Sequence, residues 1–371
     1  MMCIIPSALI LLLVPAGFLG PVDIQIPEEW TVDCHAIDES GRLLVGCSRW
    51  NSDAHIHEVI ILVAGESIDT IQVNDERIIS LSSLCATSDG GYLITCPVDL
   101  RSMLTAAARL SQSGSVEWFT STGHELEVNI GNSNAFAELP GGGLIMGGNL
   151  SRGSGWESYQ ILLMDEQGSL LMELEGDLDE EVEDVMADNE GFLLVGEMPG
   201  SDQTQAFARR FSLEGDMIWE LCCDPGMFSG FDCAAAVNDG YLMGGTVSPC
   251  EGPMSGLVVR ADAAGNEAWR NIVQPDSGYQ QVYIRSLMEI DEGSVLAGGF
   301  CVADNAPRNT NDALIVFLDS DGSELEREIF KIPGQNHEEF FGLYKDAEGN
   351  VSVYCMCRGE AYNKRYFVME L

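Results

Sequence analysis

Short runs of Val, Ile, Leu and aromatic residues, bounded by Gly and Asp, recur along the whole chain, as in "GFLLVG", "YQILLMD" and "GLVVRAD". Runs of that length and composition read as β-strands, and no amphipathic stretch of helical length stands out between them. The runs are phased. A glycine opening an apolar strand stands at Gly41 ("ESGRLLVGC"), Gly91 ("SDGGYLITC"), Gly142 ("LPGGGLIMGG"), Gly191 ("DNEGFLLVGE"), Gly240 ("VNDGYLMGG"), Gly293 ("IDEGSVLAGG") and Gly349 ("DAEGNVSVYC"), at intervals of 49 to 56 residues. A fixed period near fifty is the mark of a propeller or a solenoid.

A second turn glycine follows within the unit at Gly65, Gly114, Gly168, Gly215, Gly265 and Gly322, and Trp118, Trp219 and Trp269 each lie four residues beyond one of these. Two hairpin turns and four strand runs per unit predict an all-β chain: a seven-bladed β-propeller with four antiparallel strands per blade, since radial packing buries both faces of every sheet. The last unit ends at "KRYFVMEL", which matches a third strand, while "GPVDIQIPEEW" ahead of the first unit resembles a fourth. An N-terminal strand at residues 22–26 is therefore expected to close the last blade beside residues 366–371.

The pattern D-G-G-Y-L followed by L-x-x-D-x-x-G-x-x-x-W resembles the repeats of bacterial exported seven-bladed β-propeller (SBBP-type) proteins over about residues 21–371, with Trp missing from the first, third and sixth units. The resemblance implies an exported or cell-surface propeller, some of whose relatives are cargo of envelope secretion systems. Most such proteins bind or scaffold, so it implies little about chemistry.

Charge narrows the partners. Of 371 residues, 59 are acidic and 18 basic, a formal net charge of -41. Binding to phosphate backbones or anionic lipid heads relies on Lys and Arg, so nucleic-acid and membrane-surface partners are excluded. The opening "MMCIIPSALILLLVPAGFLG" is apolar, uncharged and short for a membrane span. It reads as a signal peptide over residues 1–20, with cleavage after the small-residue pattern of Val14 and Ala16, or as a retained N-terminal anchor; the propeller would then occupy residues 21–371. The expected address is secreted, periplasmic or cell surface.

Export permits disulfides. Cys34 and Cys47 flank the first turn of the first unit, and Cys85 and Cys96 that of the second; counted outward from the turn centres, each pair falls opposite across a hairpin, where it forms a disulfide or stays as buried thiols. Cys301 could meet Cys355 or Cys357 between the sixth and seventh units, and Cys222, Cys223, Cys233 and Cys250 cluster near the join of the fourth and fifth. None has paired C-x-x-C spacing for zinc. His55 and His57, two apart with His35 in the same unit, could share a metal.

No cofactor motif is present. Calcium is the ion that Asp319, Asp321 and Glu324 ("LDSDGSEL"), or the run "DLDEEVED" at 177–184, could hold through carboxylates, although turn chemistry and a charged loop also account for them. Innermost strands line a propeller's channel. Seven or eight residues before the marker glycine stand Asp33, Leu84, Asn134, Glu183, Asp232, Arg285 and Phe341, so that carboxylates of Asp33, Glu183 and Asp232 with Arg285 converge on the axis as a cation or sugar site would need, or form ordinary solvated lining.

Catalytic signatures are lacking: neither G-x-S-x-G, H-E-x-x-H nor a P-loop occurs, and the aromatic spacing misses that of a sialidase Asp box by one residue. The sequence thus leads to a non-catalytic binding propeller with a protein or glycan partner. The alternative is a carbohydrate-active hydrolase or lyase with carboxylates at the channel mouth.

Overall fold

Many of the hairpins are set by an Asp or Ser whose carboxylate or hydroxyl holds the turn, and by a glycine that completes it. At the turn following Asp262, Oδ1 of Asp262 accepts the amides of Ala264 (2.9 Å) and Asn266 (2.8 Å), the Gly265 amide donates to the Asp262 carbonyl (3.0 Å), and Gly265 sits at φ +81°. Only glycine enters that region without strain. Apolar runs on either side of such turns pair as antiparallel strands.

In the computed structural model, which describes residues 24, 26 and 29–371 except 53, 55, 66, 99–103, 124–125, 128–134, 151–157, 201–202, 224–227, 249–251, 292, 305–309, 332–336 and 359–363, all regular structure is β. The first meander is β1 (Thr31–Ile37), β2 (Leu43–Asn51), β3 (Ile56–Ala64) and β4 (Ile68–Val73), followed by β5 (Ser83–Ala86), β6 (Tyr92–Pro97), β7 (Thr105–Leu110) and β8 (Val116–Ser121). The third adds the short β9 (Leu126–Glu127) to β10 (Phe136–Glu138), β11 (Leu144–Leu150), β12 (Ser158–Met164) and β13 (Leu170–Glu175). Then come β14 (Glu181–Asp188), β15 (Gly191–Pro199), β16 (Thr204–Ser212) and β17 (Met217–Cys223), and after them β18 (Phe228–Val237), β19 (Gly240–Ser248), β20 (Ser255–Asp262) and β21 (Glu267–Val273). The remainder, β22 (Tyr279–Glu289), β23 (Val295–Ala303), β24 (Asn311–Leu318), β25 (Glu324–Phe330), β26 (His337–Lys345), β27 (Val351–Arg358) and β28 (Lys364–Glu370), forms two meanders joined by one parallel pair, Asn311 with His337.

Second and third strands are buried on both faces, whereas fourth strands such as β13 and β21 alternate exposed and covered positions. The apolar clusters lie in the seams between consecutive meanders. One joins β2 and β3 to β6 and β7 through Ile61, Leu84, Ile94 and Ala106, and another joins β19 and β20 to β23 and β24 through Leu242, Val258, Ala297 and Leu314. The last meander packs on the first in the same way: Tyr354, Met356 and Tyr366 share a cluster with Leu43, Val45 and Leu62, and the Tyr354 hydroxyl donates to the Gly41 carbonyl. Of the expected closing strand, residues 22, 23 and 25 lie outside the described residues; Ile24 is buried in that cluster with Tyr366. Residues 1–20, the expected signal segment, lie outside them as well.

Tryptophan and glycine of the repeat meet across the seams. Trp219 of β17 donates its indole N–H to the Ala263 carbonyl (3.2 Å) in the next meander's outer turn, and a Cβ on Gly265 would stand 2.5 Å from Trp219 Cδ2. Trp118 repeats this on Glu166 (2.9 Å) and Gly168, and Trp269 on Ser320 (3.0 Å) and Gly322. Gly265→Ala is thus expected to lower unfolding free energy by about 2–4 kcal/mol, combining the left-handed backbone cost with the clash. In a Trp219→Ala background the same change should cost only about 1–2 kcal/mol, the backbone part. A double-mutant cycle by urea denaturation reads this directly, and strict additivity would refute the contact.

Candidate functional site

The innermost strands share an irregularity. An extra residue bulges from β1 between Val32 and Cys34, from β14 between Val182 and Asp184, from β18 between Phe231 and Cys233, from β22 between Ile284 and Ser286, and from β26 between Phe340 and Gly342. The extra residues are Asp33, Glu183, Asp232, Arg285 and Phe341, the positions singled out by counting back from the marker glycine. A bulge re-aims one side chain out of the pleat. Sequence carried a sign of it that the strand count alone missed: glycines at Gly196, Gly245 and Gly299 face the bulges, where a Cβ would come within 1.9, 2.1 and 2.0 Å of the carbonyls of Glu181, Gly230 and Tyr283.

The expectation fails in the second meander. Ser83 pairs with Thr95 and Leu84 with Ile94 without a bulge, so Leu84 keeps its place in the pleat and is buried in the apolar seam rather than lining an axis. Asn134 lies outside the described residues.

The bulged side chains tie meanders together. Asp33 accepts the Ser48 hydroxyl (3.0 Å) and the Leu81 amide of the following meander (3.0 Å). Asp232 Oδ1 pairs with Arg285 Nη1 at 3.0 Å, and Arg285 Nε lies 3.9 Å from Glu339 Oε1, so one guanidinium links three meanders. The Arg285 guanidinium also lies 5.7 and 5.9 Å from the ring centres of Tyr283 and Phe300. Asp184, next to the Glu183 bulge, accepts the Ala234 amide (2.9 Å) and its neighbour's, Val185 (2.8 Å).

These groups surround a cavity of about 400 Å³ lined by Asp184, Asp232, Arg285, Phe341 and His35, among others. The His35 and Phe341 rings are tilted at 51° with centres 4.0 Å apart. Burial pushes the Asp184 carboxyl up to about 7 against the pull of its two amides, and burial followed by Glu181, Glu183 and Asp232 pushes Glu197 up to about 8. Asp232 is raised by burial, with Arg285 pulling the other way. For Arg285, Asp232, Glu339 and Glu183 overcome burial and hold it charged. The spot is strongly anionic. From the sequence, Asp184 enters only as the end of the 177–184 run and His35 only as a metal candidate, because their place in the lining depends on which meanders adjoin.

The remaining candidates are scattered. Asp319 Oδ1 accepts the amides of Asp321 (3.0 Å) and Ser323 (2.8 Å) as a turn residue, while Glu324 pairs with Arg327 (2.5 Å). In the 177–184 run, Glu180 forms a bidentate pair with Arg209, both contacts at 2.7 Å, in a seam it shares with Tyr159. His57 lies tilted against Trp50, ring centres 4.8 Å apart, and His55 lies outside the described residues. Among the described residues no three His, Cys, Asp or Glu side chains are grouped to hold a metal ion.

The cysteines do not stand opposite each other across the hairpins as expected. Because Asp33 bulges, Cys34 pairs with Gly46 and Cys47 with Val32, and the two thiols enter different seams, Cys34 toward the second meander and Cys47 toward the last. Cys85 stands opposite Leu93 and packs toward the third meander, whereas Cys96 packs toward the first. Neither pair is joined, nor is Cys301 joined to Cys355 or Cys357, nor Cys222 to Cys223 or Cys233; Cys250 lies outside the described residues.

No family model matches the chain, and no curated protein matches it in sequence. Among solved structures it is similar to the β-propeller domain of the Trilobed protease from Pyrococcus furiosus, with 10% identity and a TM-score of 0.55 over 93% of this chain and 95% of that one. The chain has the β-propeller fold. It is also similar to the Dos1 propeller (9% identity, TM-score 0.53, 91% of this chain and 77% of that) and to Sqt1 from Chaetomium thermophilum (12%, 0.51, 95% and 100%). Its four-stranded sheets are blades of that fold. At these identities the likeness speaks for the fold and not for ligand or chemistry.

Asp184 gives the propeller a pH signature. Its folded value stands above the usual 3.8, so the native state holds the extra proton, and stability falls as pH rises from about 4 through about 7. Asp184→Asn is expected to stabilise by about 1–3 kcal/mol at pH 8 and to change little at pH 4. Urea midpoints at the two pH values decide it, and an equal effect at both would refute the assignment.

Proposed function

We propose that this is an exported, non-catalytic propeller of seven blades that binds a protein or glycan partner at the end of the ring where its axial cavity opens. The observation that carries the reading is how the carboxylates of that cavity are used. Asp184 is held by two backbone amides, and Asp232 and Glu339 both lie against Arg285. Acid–base work on a substrate needs a carboxyl pair free to exchange protons with it, and here these groups serve instead to pin adjoining blades. What is left is a fixed anionic surface, suited to recognition.

Seven blades closed into a ring are supported by the seam between the last and first blades, which repeats the apolar packing of the other seams and sets Ile24 beside Tyr366. Export is supported by the apolar opening segment and by the resemblance to exported propeller repeats. A glycoside-cleaving role is the alternative. Glu197, held protonated near neutrality, has the character of a general acid, but it does not line the cavity.

A glycan array and a polysaccharide-hydrolysis screen on the protein, each with and without calcium, separate the two readings. The expected outcome is saturable binding without product. Turnover that is lost in Glu197→Gln would overturn the binding reading in favour of the hydrolase.

A further inference from the structure

We infer that a cleft on the first blade, separate from the axial cavity, binds a neutral sugar, a pyranose unit of an uncharged oligosaccharide. The inference goes beyond the reading above, since the two spaces share no lining residue. What brings the sugar to this place is an exposed indole set beside side-chain amides over an apolar base.

The cleft, of about 340 Å³, lies where the end of β2, the start of β3 and the end of β4 meet the link to β5. Trp118, Trp219 and Trp269 of the repeat are each tied to a turn of the next blade, whereas Trp50 stands outside that pattern and is 54% exposed. Ile56, 50% exposed, lines the same space, and Val73, buried, with Ile79, half-buried, gives it an apolar base. His57 pairs with Trp50 across the hairpin and braces the indole, ring centres 4.8 Å apart. An apolar side chain exposed on its own is ordinary, but an indole and an isoleucine sharing one concavity of this size are arranged as in a small-ligand site.

Charge selects the class of occupant. Of the three carboxylates in the lining, Glu58 pairs with Arg49 and Asp75 with Arg77, each at 2.5 Å, and Glu76 is the one without an ion pair among the described residues. A cation therefore finds a single uncommitted partner, and an anion meets three carboxylates and the field of a chain with net charge -41. The polar groups still to be matched are of mixed kind. The Gln72 carboxamide makes no hydrogen bond among the described residues, and that of Asn74 makes one, from Nδ2 to the Gln72 carbonyl (3.3 Å). Carboxamides donate and accept together, as sugar hydroxyls do, and the Glu76 carboxylate accepts from a hydroxyl. A pyranose offers its ring C–H groups to the indole and its rim of hydroxyls to these groups. An aliphatic peptide side chain would cover the indole while leaving the covered amides unmatched, which is costly.

An array of neutral, uronate-bearing and free-amino glycans probed with the full chain, followed by isothermal titration with the tightest neutral oligosaccharide and with N-acetyl-leucine amide, tests the site. The expected result is saturable binding confined to neutral glycans, weakened at least tenfold by Trp50→Ala but only a few-fold by Trp50→Tyr, which keeps a ring. Gln72→Ala, at an exposed position, should cost several-fold and keeps the test open if Trp50→Ala does not fold. Glu326→Gln, exposed on β25, should leave binding unchanged. Four results would overturn the site: no neutral glycan bound, binding unmoved by Trp50→Ala and Gln72→Ala, a preference for charged glycans, or tighter Trp50-dependent binding of the leucine amide than of the sugar. None of these touches the axial reading, which admits a protein partner, whereas product released from a glycan with Trp50-dependent binding intact would overturn only the non-catalytic reading, so the two fail separately.

Discussion

A four-stranded meander has two apolar faces and can cover neither by itself, and every other feature of this propeller follows from that constraint. Second and third strands are buried on both sides only because a neighbour lies against each. The repeat therefore encodes contacts between blades as much as blades. Trp219 covers the next blade's turn and takes up its Ala263 carbonyl, and Gly265 is glycine both because its φ is positive and because the indole lies where a Cβ would be. Arg109 and Arg260 act similarly at the inner turns, donating to the carbonyls of Gly142 (2.9 Å) and Gly293 (3.1 Å) in the following blade. Tyr354 makes the same kind of contact to Gly41, which gives the last blade the first as its neighbour.

The site is a by-product of the same packing. Innermost strands crowd together, and in five of them a bulge turns one side chain out of the pleat, which would otherwise direct it into a seam. Glycines opposite the bulges let the backbone come close enough for this. Residues thus released could be apolar, but Asp33, Glu183, Asp232 and Arg285 are charged, and burying charge is costly unless partners are fixed. Asp33 and Asp232 find theirs on the next blade, so polar groups at the axis fasten the inner ends of the sheets while Trp and Gly fasten the outer ends.

Much of this was legible in the chain. Turn glycines gave the strands their bounds, the spacing gave the blades, and counting back from Gly41, Gly191, Gly240, Gly293 and Gly349 reached the bulged residues themselves. The same count failed at Leu84, since the second blade has no bulge, and it misjudged the cysteines. One extra residue at Asp33 shifts Cys34 from opposite Cys47 to opposite Gly46, and a shift of one in a pleated strand sends the side chain to the other face. Asp184 was read only as part of a calcium candidate, and the Glu339 contact with Arg285 was missed, for a different reason: both depend on contacts between blades, which a pattern within one blade does not contain.

Charge is distributed in keeping with this architecture. The chain has 18 basic residues against 59 acidic ones, and four of its described arginines are largely buried in seams, hairpins and at the axis. Arg209 binds Glu180 and Glu220, Arg260 binds Asp239 and Glu289, Arg109 binds Asp89 and Glu117, and Arg285 holds the axis. Arginine suits such places, since its planar fork engages two or three acceptors at once while remaining charged when half-buried. With the cations committed to holding blades together, the negative excess is left at the surface and around the axis. That field opposes compaction and is weakened by salt. The fastening of blades and the negative charge of the surface are therefore two consequences of where these arginines lie.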